Sequence, residues 1–206
     1  MKGHLLINED GAAIVMIFLI LLPLLLITNV YYNENERLST GSNVTLKNNV
    51  ALAAKAAAQS VDSISQANGK PMINPAKAHE NFKRVLMKNL RLDSNMDPIS
   101  GSPISDRVDY YLLVCNGENP FGLAEGIIYK YENGSIQTFT LSTGSLPKDF
   151  GVNNNFSVNS DGKNVTLDAP GVIAIVKAAI RPVAMSDQTK TTRWASAKII
   201  APYAVY

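Results

Sequence analysis

AAIVMIFLILLPLLLITNV, residues 12–30, holds no charged side chain, and none occurs between Asp10 and Glu34. Its apolar residues cover every side of a helix rather than one stripe, the pattern of a segment surrounded by lipid. Nineteen residues at a rise of about 1.5 Å give roughly 28 Å, close to the hydrocarbon thickness of a bilayer. Residues 12–32 therefore read as a transmembrane helix in which Ala12, Met16, Leu22, Pro23 and Val30 face lipid or sister helices. Tyr31 and Tyr32 fall where aromatic rings favour the membrane interface. Pro23 predicts a bend and not an end, because a membrane helix can resatisfy the freed carbonyl locally.

Residues 1–11, MKGHLLINEDG, read as a short cytoplasmic leader. A cleaved secretory signal fits less well. The leader sets one lysine against two acids, the apolar run is longer than a signal core, and no Ala-x-Ala follows it before Glu34. The short leader places the N-terminus inside and the rest of the chain outside, although Arg37 and Lys47 compete with Lys2 under the positive-inside rule. The expected location is the cell membrane, single-pass, with lipid as the first partner.

Beyond the span, Leu46, Val50, Ala54, Ala57, Val61 and Ile64 recur at spacings of four, four, three, four and three. This predicts a juxtamembrane amphipathic helix within 33–70, with Val50, Ala54, Ala57, Val61 and Ile64 as its packing stripe. The alanines of 51–58 favour helix and leave a thin face that admits a close neighbour. Ser39-Thr40-Gly41-Ser42 is a poor helical patch, a hinge or a new cap, and Asn68-Gly69-Lys70-Pro71 ends the element. Within 71–107 a second helix is signalled by Asn74 as cap, Pro75 at the first position, and Ala78, Phe82, Val85, Leu86 and Leu90 on one side. His79, Lys83 and Arg91 lie off that arc and read as solvated face. Pro98, Gly101 and Pro103 mark the loop that follows.

From Val108 to Tyr206 the apolar period changes to two, predicting an extracytoplasmic β-rich domain. Tyr110, Leu112 and Val114 share one face of a strand, Tyr111, Leu113 and Cys115 the other. Asn133-Gly134 predicts a two-residue hairpin that pairs Tyr131 with Ile136, Tyr129 with Thr138 and Ile128 with Phe139. Asp161-Gly162 predicts a second, pairing Val158 with Val165 and Phe156 with Leu167. Val172–Ile180 and Thr191–Ala201 are the longest pair, expected at the sheet centre, with Trp194 as a packing anchor. The fold class is α+β: a transmembrane helix, an amphipathic helix, a second short helix, then antiparallel sheet.

Composition narrows the function. A formal charge of +2 over 206 residues lacks the basic excess of a nucleic-acid binder. One cysteine and two distant histidines, His4 and His79, give little material for a disulfide, a zinc site or a triad. No phosphate-binding, zinc-hydrolase, dithiol or EF-hand motif occurs. No catalytic residue, metal or cofactor is expected, and the chain reads as no enzyme. A different class, an anchored sensor or ligand-binding module, would need a deep pocket lined by Tyr110, Tyr129, Tyr131 or Trp194.

The polar leader ending in Gly11, then Ala12-Ala13 and an apolar helix with Leu22-Pro23 near its middle, resembles the start of type IV pilin-like proteins. The segment GAAIVMIFLILLPLLL, the helix after it, and VIAIVKAAIRP followed by TTRWASAKI resemble the TadE/TadG-like group of tight-adherence pilus systems more closely. The resemblance implies cleavage between Gly11 and Ala12 by a prepilin peptidase, and contacts with other pilin-like or assembly proteins. That family usually carries a glutamate five residues beyond the glycine, where this chain has Met16. A carboxylate in lipid is costly unless paired, so its loss removes a pairing device. The departure points to a minor, initiating or tip component, or an uncleaved assembly factor, over a major filament subunit.

Overall fold

The computed structural model describes residues 9–153, 156–159, 164–180 and 190–199. It is α+β. The first helix, α1, is Glu9–Ala58, unbroken through Pro23 and through the Ser39–Ser42 patch. Two compact units divide at residue 41, the first being 1–41 and the second 42–206.

In the first unit the apolar side chains from Met16 to Val30 are all exposed. Met16–Asn33 is the one helical stretch among the described residues long and apolar enough to cross a membrane. Tyr31 and Tyr32 are exposed as well. Gly11 and Ala12 belong to α1, but their side chains lie outside the described set.

The second unit has three layers. Its central sheet is antiparallel, with β1 (Asp109–Cys115), β2 (Gly126–Glu132), β3 (Ser135–Leu141), β7 (Gly171–Ala179) and β8 (Lys190–Lys198) in the order β3-β2-β1-β7-β8. The central strand is thus β1, while the long β7–β8 pair reaches the edge; the expectation of a β7–β8 centre is corrected accordingly. The Asn133-Gly134 hairpin has the expected register, Tyr131 opposite Ile136, Tyr129 opposite Thr138 and Ile128 opposite Phe139. Positive φ at Asn133 and Gly134, 52° and 81°, is what a type I′ turn demands.

Both faces of β1 are covered, which explains why its sequence is almost continuously apolar. On one face Tyr110, Leu112 and Val114 meet Leu46, Val50, Ala54 and Ala57 of α1 and Ala78, Phe82, Leu86 and Leu90 of α3 (Pro75–Leu90). Asn74 caps α3 by accepting from the Lys77 N–H at 3.1 Å, and Pro75 follows as expected. On the other face Tyr111, Leu113 and Cys115 meet Phe150, Val152, Val165 and Leu167 of a smaller sheet.

That smaller sheet corrects the second hairpin. Its strands β4 (Lys148–Asn153), β5 (Ser157–Asn159) and β6 (Val165–Leu167) lie in the order β5-β4-β6, so β4 separates the two segments expected to pair. Phe156, at φ 61°, turns the chain back so that Val158 pairs with Val152 instead of Val165. Phe150, not Val158, stands opposite Val165. The Asp161-Gly162 turn lies outside the described residues, as does the 181–189 loop.

The expected single helix across 33–70 is also corrected. It stops at Ala58, Val61 forms a β-bridge with Ile73, and a separate short helix α2 (Ser63–Ala67) starts on Asp62, whose carboxylate accepts from the N–H groups of Ile64 and Ser65. Val50, Ala54 and Ala57 of the packing stripe are buried, whereas Ile64 is 66% exposed. Within the second unit, buried residues from Leu46 to Ala178 contribute to one core.

Candidate functional site

Three places collect the residues singled out above. The first is the exposed apolar helix, where Met16, Leu22, Pro23 and Val30 present no group that could act chemically. The second is the alanine stripe of α1, whose small side chains let the helix lie close on the sheet. The third was not visible as a site in the sequence and surrounds His79.

His79 lies one residue past buried Ala78 and three before buried Phe82, on the flank of the apolar arc of α3. Its ring stacks on Tyr129, with centroids 4.3 Å apart and planes 6° from parallel. Its Nε2 is 2.7 Å from the Tyr110 hydroxyl. Tyr110 in turn stacks on Tyr131 at 5.2 Å and meets the Phe82 ring edge-on at 5.4 Å. The Tyr131 hydroxyl donates to the Asn95 carbonyl at 2.7 Å. The solvated reading of His79 is therefore corrected: the spacing 79, 82, 86 is a helical flank, and the aromatic strand beneath it draws the ring in.

Burial, and secondly the positive charge of Lys83 one turn on, pull the His79 pKa down to about 4. Burial, then neighbouring Tyr131, raises the Tyr110 hydroxyl well above the ordinary phenol range. Both rings are neutral near pH 7, so the pair offers no acid or base poised for proton transfer there. It is a packed polar–aromatic joint between α3 and the sheet. Folded His79 takes up its proton only near pH 4, while the unfolded imidazole does so near 6.5. Stability from this group is complete above pH 6.5 and is lost as pH falls toward 4. His79→Gln is expected to flatten the stability slope across that interval in chemical denaturation of the detergent-solubilised chain. An unchanged slope would place the acid sensitivity elsewhere.

Beside His79 an open groove of about 760 Å³ runs along α3. Met87, Leu92 and Ile99 contribute its apolar lining, and Lys83, Arg84, Lys88 and Arg91 set more positive than negative charge around it, Glu80 being the acid present. Tyr110 and Tyr131 are buried beneath the joint and do not open into it. Trp194 stands opposite Ile175, on the sheet face away from Tyr110, and is 40% exposed. It is no packing anchor, because the core on that face draws on β1 and β7 and on no residue of β8. The four aromatics considered for a pocket therefore cannot line one cavity.

Polar clamps escaped the sequence reading too. Glu125 accepts from the Ser142 hydroxyl and from the N–H groups of Thr143 and Gly144, which holds its carboxyl below the usual range. Asp97 receives two 2.8 Å bonds from the Arg107 guanidinium. Asn116 ties Ile73, just ahead of α3, to the end of β1. None has a short-range signature. Among the described residues no group of three His, Cys, Asp or Glu side chains is placed to share a metal ion. Cys115 is buried, and its thiol is raised by that burial, the opposite of what a reactive thiolate needs.

No protein-family model, curated protein or solved structure matches the chain.

Proposed function

We propose that this chain is a single-pass membrane protein with its N-terminus in the cytoplasm and its α+β domain outside. In this reading it serves as a minor pilin-like or assembly component of a bacterial tight-adherence or type IV-like pilus or secretion apparatus. It acts through protein contacts and not through catalysis. The observation that carries the reading is α1 itself: one helix whose residues 16–33 are all exposed and mostly apolar, and whose Leu46, Val50, Ala53, Ala54 and Ala57 are buried against an antiparallel sheet. An isolated water-soluble protein gains nothing by exposing so long an apolar surface, whereas lipid or sister helices would cover it. The stacked tyrosines weigh against a pocket-based sensor, since their faces are already occupied by one another and by His79.

Met16, in place of the family's usual glutamate, favours an initiating, tip or assembly role, because a neighbouring subunit's terminal amine finds no carboxylate there. The test is the intact mass of the protein recovered from its own cells in detergent. A chain beginning at Ala12 is expected. One beginning at Val30 or later overturns the anchored reading, and one beginning at Met1 overturns pilin-like processing and leaves a plain anchor.

A further inference from the structure

The two edges of the five-stranded sheet are built differently. The β8 edge carries Lys190, Arg193 and Lys198, with Lys190 paired to Asp106 and Lys198 to Asp168, which is how sheet edges are commonly shielded from other strands. The β3 edge, Ser-Ile-Gln-Thr-Phe-Thr-Leu, has seven residues, no charge, no proline and no bulge in its pairing with β2. Ile136 is 50% exposed and Phe139 48%, one on each face of that strand. Among the described residues no strand covers its outer side. A long, uncharged and partly apolar edge is a template for another strand unless something occupies it.

The hydrogen-bond pattern says what fits. The two-residue turn makes Glu132 and Ser135 a bonded pair, so by alternation Ile136, Thr138 and Thr140 turn their N–H and C=O groups to the open side. We infer that β3 is a self-association edge, taking the β3 of a second copy of this chain antiparallel about a two-fold axis through Thr138. Several features select a second copy. The strand has no charge to repel its own image, and its length matches itself. Two-fold pairing also keeps each sheet face continuous across the join, because residues that meet are an even number of positions apart. The register centred on Thr138 uses all seven residues: Ser135 meets Leu141, Ile136 meets Thr140, Gln137 meets Phe139, and Thr138 meets itself. Ile136, Thr138 and Thr140 then place their open-side groups on those of the mate, extending the five strands to ten.

The experiment uses the full chain in detergent micelles, with sedimentation equilibrium over a dilution series. Thr138→Pro removes one open-side N–H without breaking a bond to β2, and Thr138→Lys sets two charges face to face at the axis. Wild type is expected to be dimeric, and each variant to weaken the dimer at least about tenfold (about 1.4 kcal/mol) with an unchanged circular dichroism spectrum. Thr138→Cys is expected to form an oxidised dimer far more readily than Thr166→Cys, at the one exposed position of β6; buried Cys115 gives no background. A monomeric wild type, a dimer indifferent to both Thr138 variants, or equal cross-linking at 138 and 166 would overturn the inference. None of these readouts depends on where the N-terminus is cut, so this edge and the pilin-like reading fail separately.

Discussion

Phe82→Ala is expected to lower the stability of the folded domain by about 3–5 kcal/mol, while Ile64→Ala changes it by about 0.5 kcal/mol or less. Phe82 is 0% exposed, sits in the middle of α3, belongs to the same core as Ala78 and Leu86, and meets Tyr110 in a T-shaped ring pair at 5.4 Å. Truncation removes the apolar transfer energy and leaves a cavity beneath a helix that its neighbours hold rigidly, so little collapse relieves the cost. Against a total of about 5–15 kcal/mol for an ordinary domain, this is a large fraction. Ile64, by contrast, has water over most of its side chain, since α2 begins anew at Asp62 and turns that position outward. Urea titration of both variants in the same detergent, followed by circular dichroism, separates the two positions. A helix running unbroken through residue 64 would instead make Ile64→Ala costly, by about 2–5 kcal/mol.

That contrast shows where local sequence stops being informative. The 3.6-residue spacing marks buried positions as far as Ala57 because burial on the sheet imposes it, but it continues numerically through Val61 and Ile64 by coincidence. What ends α1 is a long-range event, the bridge of Val61 to Ile73 together with the Asp62 N–H donating to the Met72 carbonyl at 2.8 Å. No window of neighbouring residues contains it. Asn74-Pro75 and Asn133-Gly134 were legible for the opposite reason: a cap and a type I′ turn are satisfied within four residues. Asp161-Gly162 carried a similar signal, yet Lys148–Asn153 captured both of its flanking segments. That strand was easy to overlook, having Gly151 in its middle and charges at its start. The apolar span was the plainest feature because its meaning depends on solvent and not on partners. The surroundings of His79 are not legible locally, because its neighbours in space, Tyr110 and Tyr129, lie 31 and 50 positions away.

Asn116→Leu is expected to be as damaging as the loss of Phe82, through polarity instead of volume. Asn116 is 2% exposed and follows directly on β1. Its Oδ1 accepts from the Ile73 N–H at 2.8 Å, and its Nδ2 donates to the Ile73 carbonyl at 2.9 Å and to the Ala124 carbonyl at 3.3 Å. One amide thus satisfies both backbone groups of a residue that is itself fully buried. Leucine fills the space but leaves those two groups unpaired, at about 1–3 kcal/mol each. Asn116→Asp tests the same geometry by charge. The carboxylate keeps the acceptor for the Ile73 N–H but turns negative oxygen toward two carbonyls, whereas the protonated acid can donate to one of them. The folded variant therefore holds its proton more tightly than the unfolded chain, and its stability rises as pH falls. Wild type and variant share the loss from His79 between pH 6.5 and 4, so the variant's gain appears as a shrinking difference from wild type. Denaturation midpoints of both proteins at pH 4.5 and 7 are expected to converge at the lower value. Parallel losses would mean that the Asn116 amide is not what holds Ile73 in place.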